Sequence, residues 1–374
     1  MLLKEQLLFF TELFAAQIIK KVDVVIVGAG FAGLACGKKL AEKGRSVVIV
    51  ERKKIPQQST HTTGIFVKEA FENLSIPRDL VREISGVRLY SPSLKHIEIQ
   101  SSDYFFMATD TPELMSHFSK EAQKSGVQVL YNTPYTHAYE KGGEIILEEQ
   151  GLACDYLIGS DGLRSCVARD FNLGTNEKFL AGVEAEFSEA DLPDPNAFYC
   201  FLNNQLAYGY LGWVVPSVGI VQVGLATSMP VKPNIQEFID HVGPLFSLDS
   251  SKIVSRRGGL IPVGGVVKPF SKRNVILLGD AAGTVSPLTA GGIHTAMHYG
   301  EVLADAIVRA KGERRSHPSA VLKKSFPRFY MKHALRWGLE KLAPNWLLNF
   351  VLGNAVFQRF AEIVFFRKKR LRVA

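Results

Sequence analysis

The feature that most restricts what this chain can fold into lies between residues 22 and 51. Val22–Val27 is a short apolar run broken only by Asp23, and Gly28-Ala29-Gly30-Phe31-Ala32-Gly33 follows it without a spacer. An apolar run of that length, bounded by glycine, reads as a buried strand. A helix is predicted from about Ala32 to Lys43, closed by Gly44, and a second strand over Ser46–Val50 ends at Glu51. In that order the parts make a cradle for a dinucleotide. Gly28 permits a tight turn, Gly30 lets the backbone approach a diphosphate, and Gly33 lets helix and strand pack closely. The helix N-terminus adds unpaired N–H groups and the positive end of its dipole. Glu51, 23 residues after Gly28, is spaced to accept hydrogen bonds from ribose hydroxyls. The pattern alone leaves NAD and FAD both open.

Two later segments bear on that choice. Asp155–Ile158 leads into Gly159-Ser160-Asp161-Gly162-Leu163-Arg164-Ser165. Asn274–Leu278 ends in Gly279-Asp280-Ala281-Ala282-Gly283, followed by Ser286-Pro287-Leu288-Thr289, Gly291-Gly292-Ile293 and a predicted helix to about Ala310. An Asp at the carboxyl end of a strand sits where open α/β sheets bind ligands. With these motifs the chain resembles the flavoprotein hydroxylase superfamily of the para-hydroxybenzoate hydroxylase fold, and within it the geranylgeranyl reductase family. The resemblance spans about Val22 to Ala310 and implies FAD as the cofactor. It implies that Asp280 bonds the ribityl chain and that the helix after Gly292 aims its N-terminus at the isoalloxazine N1/O2 side. It places the Asp161-Gly162 turn near the pyrophosphate and ribose. The cofactor-binding set implied is Gly28, Gly30, Phe31, Ala32, Gly33, Glu51, Arg52, Val129, Asp161, Gly162, Gly279, Asp280, Pro287, Gly291, Gly292 and Ile293.

Between Phe171 and Lys268 the texture changes. Ala181–Phe187, Ala207–Val215 and Ile220–Thr227 alternate and are predicted to be antiparallel strands. Gly86–Gln100 is expected to join them. The expected fold class is α/β and para-hydroxybenzoate hydroxylase-like. A Rossmann-type FAD-binding lobe is drawn from residues 22–85, 101–170 and 269–311. An antiparallel β-sheet substrate lobe is drawn from 86–100 and 171–268. An apolar helix is expected over 1–21 and a basic helical extension over 312–374.

Trp213-Val214-Val215-Pro216, followed by Gly219 and Val223-Gly224, resembles the reductase family's aromatic pocket motif. It implies Tyr210, Trp213 and Pro216 as substrate-binding residues. The match is partial: Tyr210 stands three residues before Trp213 where the family has two, and Val215 replaces Phe. An ordinary core strand explains Trp213 equally well. Archaeal-type members carry a Cys-Gly pair after the Glu strand, whereas Ser59-Thr60-His61-Thr62-Thr63-Gly64 holds no cysteine. The family's FAD-contacting Arg has no counterpart at Asp110–Thr111. His61 can titrate near neutral pH and is a weak candidate proton donor, set against the plainer role of a loop hydrogen-bond partner. His294 and His298 stand one helical turn apart without a third ligand, so no metal is expected.

Charge and cysteine bound the remaining classes. Cys36, Cys154, Cys166 and Cys200 form no C-x-x-C pair, which argues against a zinc site or disulfide framework and suits a reducing compartment. Residues 321–374 carry twelve Lys/Arg and two Glu, a net of +10, where the whole chain is +8. The basicity therefore belongs to the tail. Phe326–Phe366 is rich in aromatic and aliphatic residues and precedes Arg367-Lys368-Lys369-Arg370-Leu371-Arg372. Helices broken near Pro344 are expected there, docked on an anionic membrane surface or packed as a cap on the FAD lobe. No nucleic-acid motif accompanies the charge. No segment offers about 18 uninterrupted apolar residues; Trp346–Phe365 comes nearest. Met1–Lys20 contains Lys4, Glu5 and Glu12, and the strand at Val22 leaves no room for a signal-peptide cleavage site. The expected location is cytoplasmic, at the membrane periphery.

The expectation is an FAD-dependent oxidoreductase that reduces C=C bonds of an apolar, isoprenoid or lipid substrate. A flavin monooxygenase shares the fold and its motifs and is the alternative. A flavin-bound scaffold without turnover is a third reading. No second G-x-G-x-x-G unit is evident, so NAD(P)H or a ferredoxin-like protein is left as the electron donor.

Overall fold

The computed structural model describes residues 19–58, 62–72, 74–101, 103–310 and 316–366. Its strands form where apolar runs are unbroken. Lys20–Val27, whose last four residues are all buried, lies inside an eight-stranded sheet. It pairs in parallel with Val47–Val50 on one side and with Leu152–Gly159 on the other. Gln128–Leu130 and Val275–Leu277 extend the parallel row outward. Tyr139–Lys141, Glu144–Leu147 and Ser271–Lys272 add short antiparallel pairs. Strands covered on both faces need no polar alternation, which is why VVIV occurs in both central strands. Two helices, Phe31–Glu42 and Ile293–Ala310, pack against each other. At Gly300 a Cβ would stand 2.7 Å from Ala32 O and 3.1 Å from Cys36 N, so this approach needs glycine.

The second sheet has seven strands, in the order Ile253–Pro262, Phe179–Phe187, Val221–Ser228, Gly212–Pro216, Ala197–Phe201, Gly86–Tyr90 and His96–Gln100. Its pairings are antiparallel except that of Ala197–Phe201 with Gly86–Tyr90. Alternation gives it two apolar faces. One carries Ala185, Phe187, Tyr199, Val223 and Leu225 against the helix Ile235–Phe246. The other carries Leu180, Cys200, Trp213, Val215 and Ala226. A three-stranded sheet of Ile65–Val67, Phe106–Thr109 and Val81–Ile84 completes the β structure of the described residues.

The tail forms helices Tyr330–Leu342, Asn345–Leu352 and Ala355–Phe366, with the expected break at Pro344. Leu348, Leu352, Ala361 and Phe366 join the cluster of Trp213 and Val215. The Phe366 ring lies 5.9 Å from those of both Tyr104 and Phe106. The expected cap on the FAD lobe is met in part: Phe326 packs into the core of the first sheet against Phe270 and Tyr299, while Asn345–Phe366 covers the seven-stranded sheet. That face would otherwise present Trp213, Val215 and Ala226 to water.

Two further expectations are corrected. Lys20 and Lys21 already pair with Leu152 and Ala153, so no helix over 1–21 reaches its expected end; residues 1–18 lie outside the described residues. Of the expected strand Ala207–Val215, only the part from Gly212 is a strand. Ala207–Leu211 turns instead. Asn203 Oδ1 accepts from the N–H groups of Gln205 and Leu206, Asn204 Oδ1 accepts from Gly209 at 2.7 Å, and Gly209 takes φ +66°. Asn side chains here compete successfully with a strand ladder for backbone donors.

Candidate functional site

The carboxyl ends of three neighbouring parallel strands deliver three loops to one edge of the first sheet: Gly28–Gly33, Ser160–Ser165 and Gly279–Gly283. Gly28 has φ +101°, and a Cβ there would lie 2.5 Å from Ser160 O. At Gly33 a Cβ would lie 2.1 Å from Gly28 O. Gly30 differs, because nothing in the protein comes within 4 Å of a Cβ built on it. The fold itself demands the first two glycines, while Gly30 opens onto free space. Gly30 is also the N-cap of Phe31–Glu42, and no side chain caps that helix, which leaves first-turn N–H groups for an outside acceptor. Ser160 Oγ, 2.9 Å from both Val27 O and Gly28 O, stitches the second loop to the first.

Glu51 is buried at the end of its strand. One carboxylate oxygen accepts from Ala29 N–H at 2.7 Å and the other from Lys53 N–H at 2.9 Å. It therefore braces the glycine loop while each oxygen keeps acceptor capacity. Phe31 packs edge-on against Phe66 and Phe118. Ala32 abuts Gly279, where a Cβ would approach it to 3.0 Å. The Arg52 side chain is exposed, and Val129 pairs with Ile49 one strand away.

Two aspartates take different roles. Asp161 Oδ2 accepts from Cys166 N–H at 2.6 Å and Val167 N–H at 3.2 Å, at the start of the short helix Cys166–Asp170, and Oδ1 is buried with no partner among the described residues. Burial raises its carboxyl pKa. Gly162 follows it at φ +85°. Burial pushes the Asp280 carboxyl pKa up to about 6, although the residue is only partly buried. No donor among the described residues reaches that carboxylate; Asn176 Nδ2 bonds only its backbone carbonyl, at 2.8 Å. A Cβ at Gly292 would lie 3.6 Å from Asp280 Oδ1, so the carboxylate adjoins the start of helix Ile293–Ala310. The intervening loop is closed by Ser286 N–H to Gly291 O at 3.1 Å and Ala290 N–H to Ser286 O at 2.9 Å. Pro287 O accepts from Arg336 Nη1 of the tail at 3.0 Å.

Ala290 of this loop packs with the apolar face that carries Trp213. Trp213 is buried, and its indole N–H donates to Glu184 Oε2 at 2.8 Å. Thr63 Oγ1 donates to the same oxygen at 2.7 Å, and Arg257 pairs with Glu184 and, at 2.7 Å, with Glu186. The ring is thus held in place by a buried carboxylate. Tyr210 packs in the same cluster but sits in the turn before the strand, and Pro216 ends the strand on the sheet. His61 lies outside the described residues.

The comparisons with known proteins follow this geometry. A family model described as an FAD binding domain matches residues 21–317. The chain belongs to this FAD-binding-domain family. It is an FAD-dependent oxidoreductase. Digeranylgeranylglycerophospholipid reductase 3 of Methanosphaera stadtmanae is 26% identical over 322 residues, covering 78% of each chain. A geranylgeranyl bacteriochlorophyll reductase-like protein from Thermoplasma acidophilum superposes with a TM-score of 0.79 over 92% of this chain and 96% of its own, at 19% identity. p-Nitrophenol 4-monooxygenase from Pseudomonas putida gives 0.70 over 92% and 98%, at 15% identity. The two structures show the fold alone.

For an FAD enzyme of this family, the structure brings Gly28, Gly30, Gly33, Glu51, Asp161 and Asp280 to one edge, with Trp213 on the second sheet. Sequence reasoning misses Thr63, Glu184 and Arg257, which meet only when strands Phe179–Phe187 and Ile253–Pro262 pair. The available signal is the alternation of Glu184 and Glu186 on one face of an otherwise apolar strand. It also misses Arg336, a buried cation in a tail whose basic residues are expected on a membrane surface.

Proposed function

We propose that this enzyme reduces carbon–carbon double bonds of an apolar, isoprenoid-type lipid. The observation that carries the reading is the apolar cluster into which Ala290 of the Ser286–Gly292 loop packs. It consists of Trp213, Val215, Ala226 and Ile261, closed by Leu339, Leu348, Leu352 and Phe366 of the tail. Of its polar members, Glu184 and Arg257 are satisfied by protein partners, and Gln222 keeps one buried oxygen without a partner among the described residues. Such a wall favours hydrocarbon. The similarity to a digeranylgeranylglycerophospholipid reductase supports the same substrate class.

In this reading Gly28, Gly30 and the N–H groups at Phe31 and Ala32 hold the FAD diphosphate, with Asp161 and Gly162 alongside. Glu51 bonds ribose, with Arg52 and Val129 on the adenosine side. The unpartnered Asp280 carboxylate takes a ribityl hydroxyl, and Pro287, Gly291, Gly292 and Ile293 border the reacting ring. Bound and reduced FAD supplies the hydride for one alkene carbon. The apolar wall orients the lipid and keeps bulk water away, while a water molecule protonates the second carbon. NAD(P)H or a ferredoxin-like protein supplies the electrons.

The tail brings this cleft to a membrane surface. Tyr330, Trp337, Trp346 and Phe350 are 58–79% exposed on its outer side, close in sequence to Arg328, Lys341 and Arg359. Aromatic rings interleaved with cations suit an anionic lipid interface. Among the described residues no single helix is long and apolar enough to cross a membrane; Asn345–Leu352 and Ala355–Phe366 together meet that test but bend by 93°.

Holoprotein reduced anaerobically and mixed with vesicles containing a polyprenyl glycerolipid tests the reading. The flavin colour is expected to return as lipid double bonds disappear. Reduced flavin that survives the lipid, yet is consumed by oxygen with a hydroxylated product, would assign monooxygenase chemistry instead.

A further inference from the structure

The cationic tail has a second, inward face. On the helix Tyr330–Leu342, Lys332 and Arg336 stand one turn apart and both reach the loop that precedes Ile293–Ala310. Lys332 Nζ donates to Ser286 Oγ at 3.1 Å. Arg336, 8% exposed, donates to Pro287 O at 3.0 Å and to Ser228 Oγ at 2.7 Å. Every one of these acceptors is neutral. Among the described residues neither cation has a salt bridge; Glu340 attracts Arg336 only from beyond salt-bridge distance and pairs with Lys341 at 3.4 Å. Lys178 and the His333 ring add to the same neighbourhood, and burial depresses the pKa values of Lys332, His333 and Arg336. Burying a guanidinium without a counter-ion is costly. A negative charge arriving at the loop would relieve that cost.

FAD develops such a charge when it is reduced, on its N1–C2=O side. We propose that the tail helix sets the electrostatics of the flavin site: Lys332 and Arg336 stabilise negative charge beside the Ser286–Gly292 loop and so raise the reduction potential of bound FAD. Lys332 acts from Ser286, and Arg336 acts as a positioning residue that ties Pro287 to Ser228 while supplying its field. The C-terminal extension is then part of the redox centre as well as a cover for the apolar wall. The inference uses the FAD-binding loops only and holds whichever substrate the flavin reduces or oxygenates.

The test uses the full-length holoprotein and a probe that needs no turnover. Sulfite adds through sulfur to flavin N5, the electron pair moves to the N1–C2=O side, and the adduct's stability reports positive charge there. Lys332→Gln and Arg336→Gln are each expected to weaken the sulfite complex roughly tenfold and to lower the two-electron midpoint potential by about 30 mV, the equivalent of that factor. Lys332→Arg and Arg336→Lys, which keep the charge, are expected to stay near the parent values. Neutral variants that bind FAD yet leave both readouts within about twofold would overturn the proposal. So would charge-keeping variants that lose as much as the neutral ones, since packing would then be the cause. If Arg336→Gln does not fold, Lys332→Gln decides alone, because its side chain is only partly buried.

Discussion

Gly30 and Gly33 lie three residues apart in one loop, and the structure assigns them opposite reasons for lacking a side chain. A methyl at Gly33 would stand 2.1 Å from Gly28 O and 2.6 Å from Ser160 Oγ. Gly28 O is fixed backbone, so helix and strand must separate by about 1 Å, at the upper end of overpacking costs, about 3 kcal/mol. A methyl at Gly30 meets nothing within 4 Å, and its φ of −83° suits any residue. Alanine there restricts the unfolded chain, which stabilises by about 0.5 kcal/mol, and is a poorer N-cap than glycine, which costs a similar amount. Gly30→Ala should therefore leave urea unfolding of the apoprotein within about 1 kcal/mol of the parent. Its methyl instead fills the space proposed for the diphosphate, so FAD affinity should fall at least ~100-fold, or about 2.7 kcal/mol. Apoprotein unfolding and FAD titration followed by flavin fluorescence separate the two variants. Gly30→Ala that binds FAD like the parent would refute the cradle assignment, and Gly33→Ala with parental stability would refute the packing argument.

Other outcomes follow from the buried charges and the tail. The Asp280 pKa is raised to about 6, so in the apoprotein its carboxyl contributes favourably below the unfolded pKa and loses that contribution as pH rises through about 6; Asp280→Asn should stabilise the apoprotein by about 2 kcal/mol at about pH 7.5, with the gain vanishing toward pH 4, while weakening FAD binding. A flat difference across that pH range in urea titrations would show that Asp280 does not titrate in this way. Glu184→Ala leaves the Trp213 indole, the Thr63 hydroxyl and part of Arg257 without their acceptor, and should cost about 3 kcal/mol in the same assay, with Glu184→Gln costing less. Trp346→Ala with Phe350→Ala removes exposed rings, so unfolding should shift by under about 0.5 kcal/mol. Sedimentation with anionic vesicles should show roughly tenfold weaker binding; unchanged binding would place the membrane contact elsewhere.

The cradle is legible in sequence because its demands are local. Strand, glycines, helix and Glu51 follow one another within about thirty residues, although Gly28 answers to Ser160 of a later loop. The parallel strands are legible for the same reason, as unbroken runs such as VVIV. The polar knot on the second sheet is not, because Thr63, Glu184, Trp213 and Arg257 belong to four segments brought together by strand pairing. Glu184 and Glu186 alternate as a solvated strand face would, and only the register against Arg257 and Ser255 turns them inward. Lys332 and Arg336 share a helix face by spacing alone, but the spacing does not say that Ser286 and Pro287 lie beneath it. Ala207–Leu211 misleads in the other direction: its apolar alternation suggests a strand, and two asparagine side chains bend it into turns. The tail's cover of the second sheet is equally invisible, since an apolar helix face does not announce its partner.

The most direct test of the account is an isotope experiment on the holoprotein with a polyprenyl lipid, an electron donor, D2O and 18O2 together. Exchangeable hydrogen on reduced flavin and in water carries deuterium, so the account predicts a more saturated lipid with deuterium bound to carbon and no 18O. A lipid bearing an 18O hydroxyl without carbon-bound deuterium would contradict it and assign this cleft to oxygen insertion.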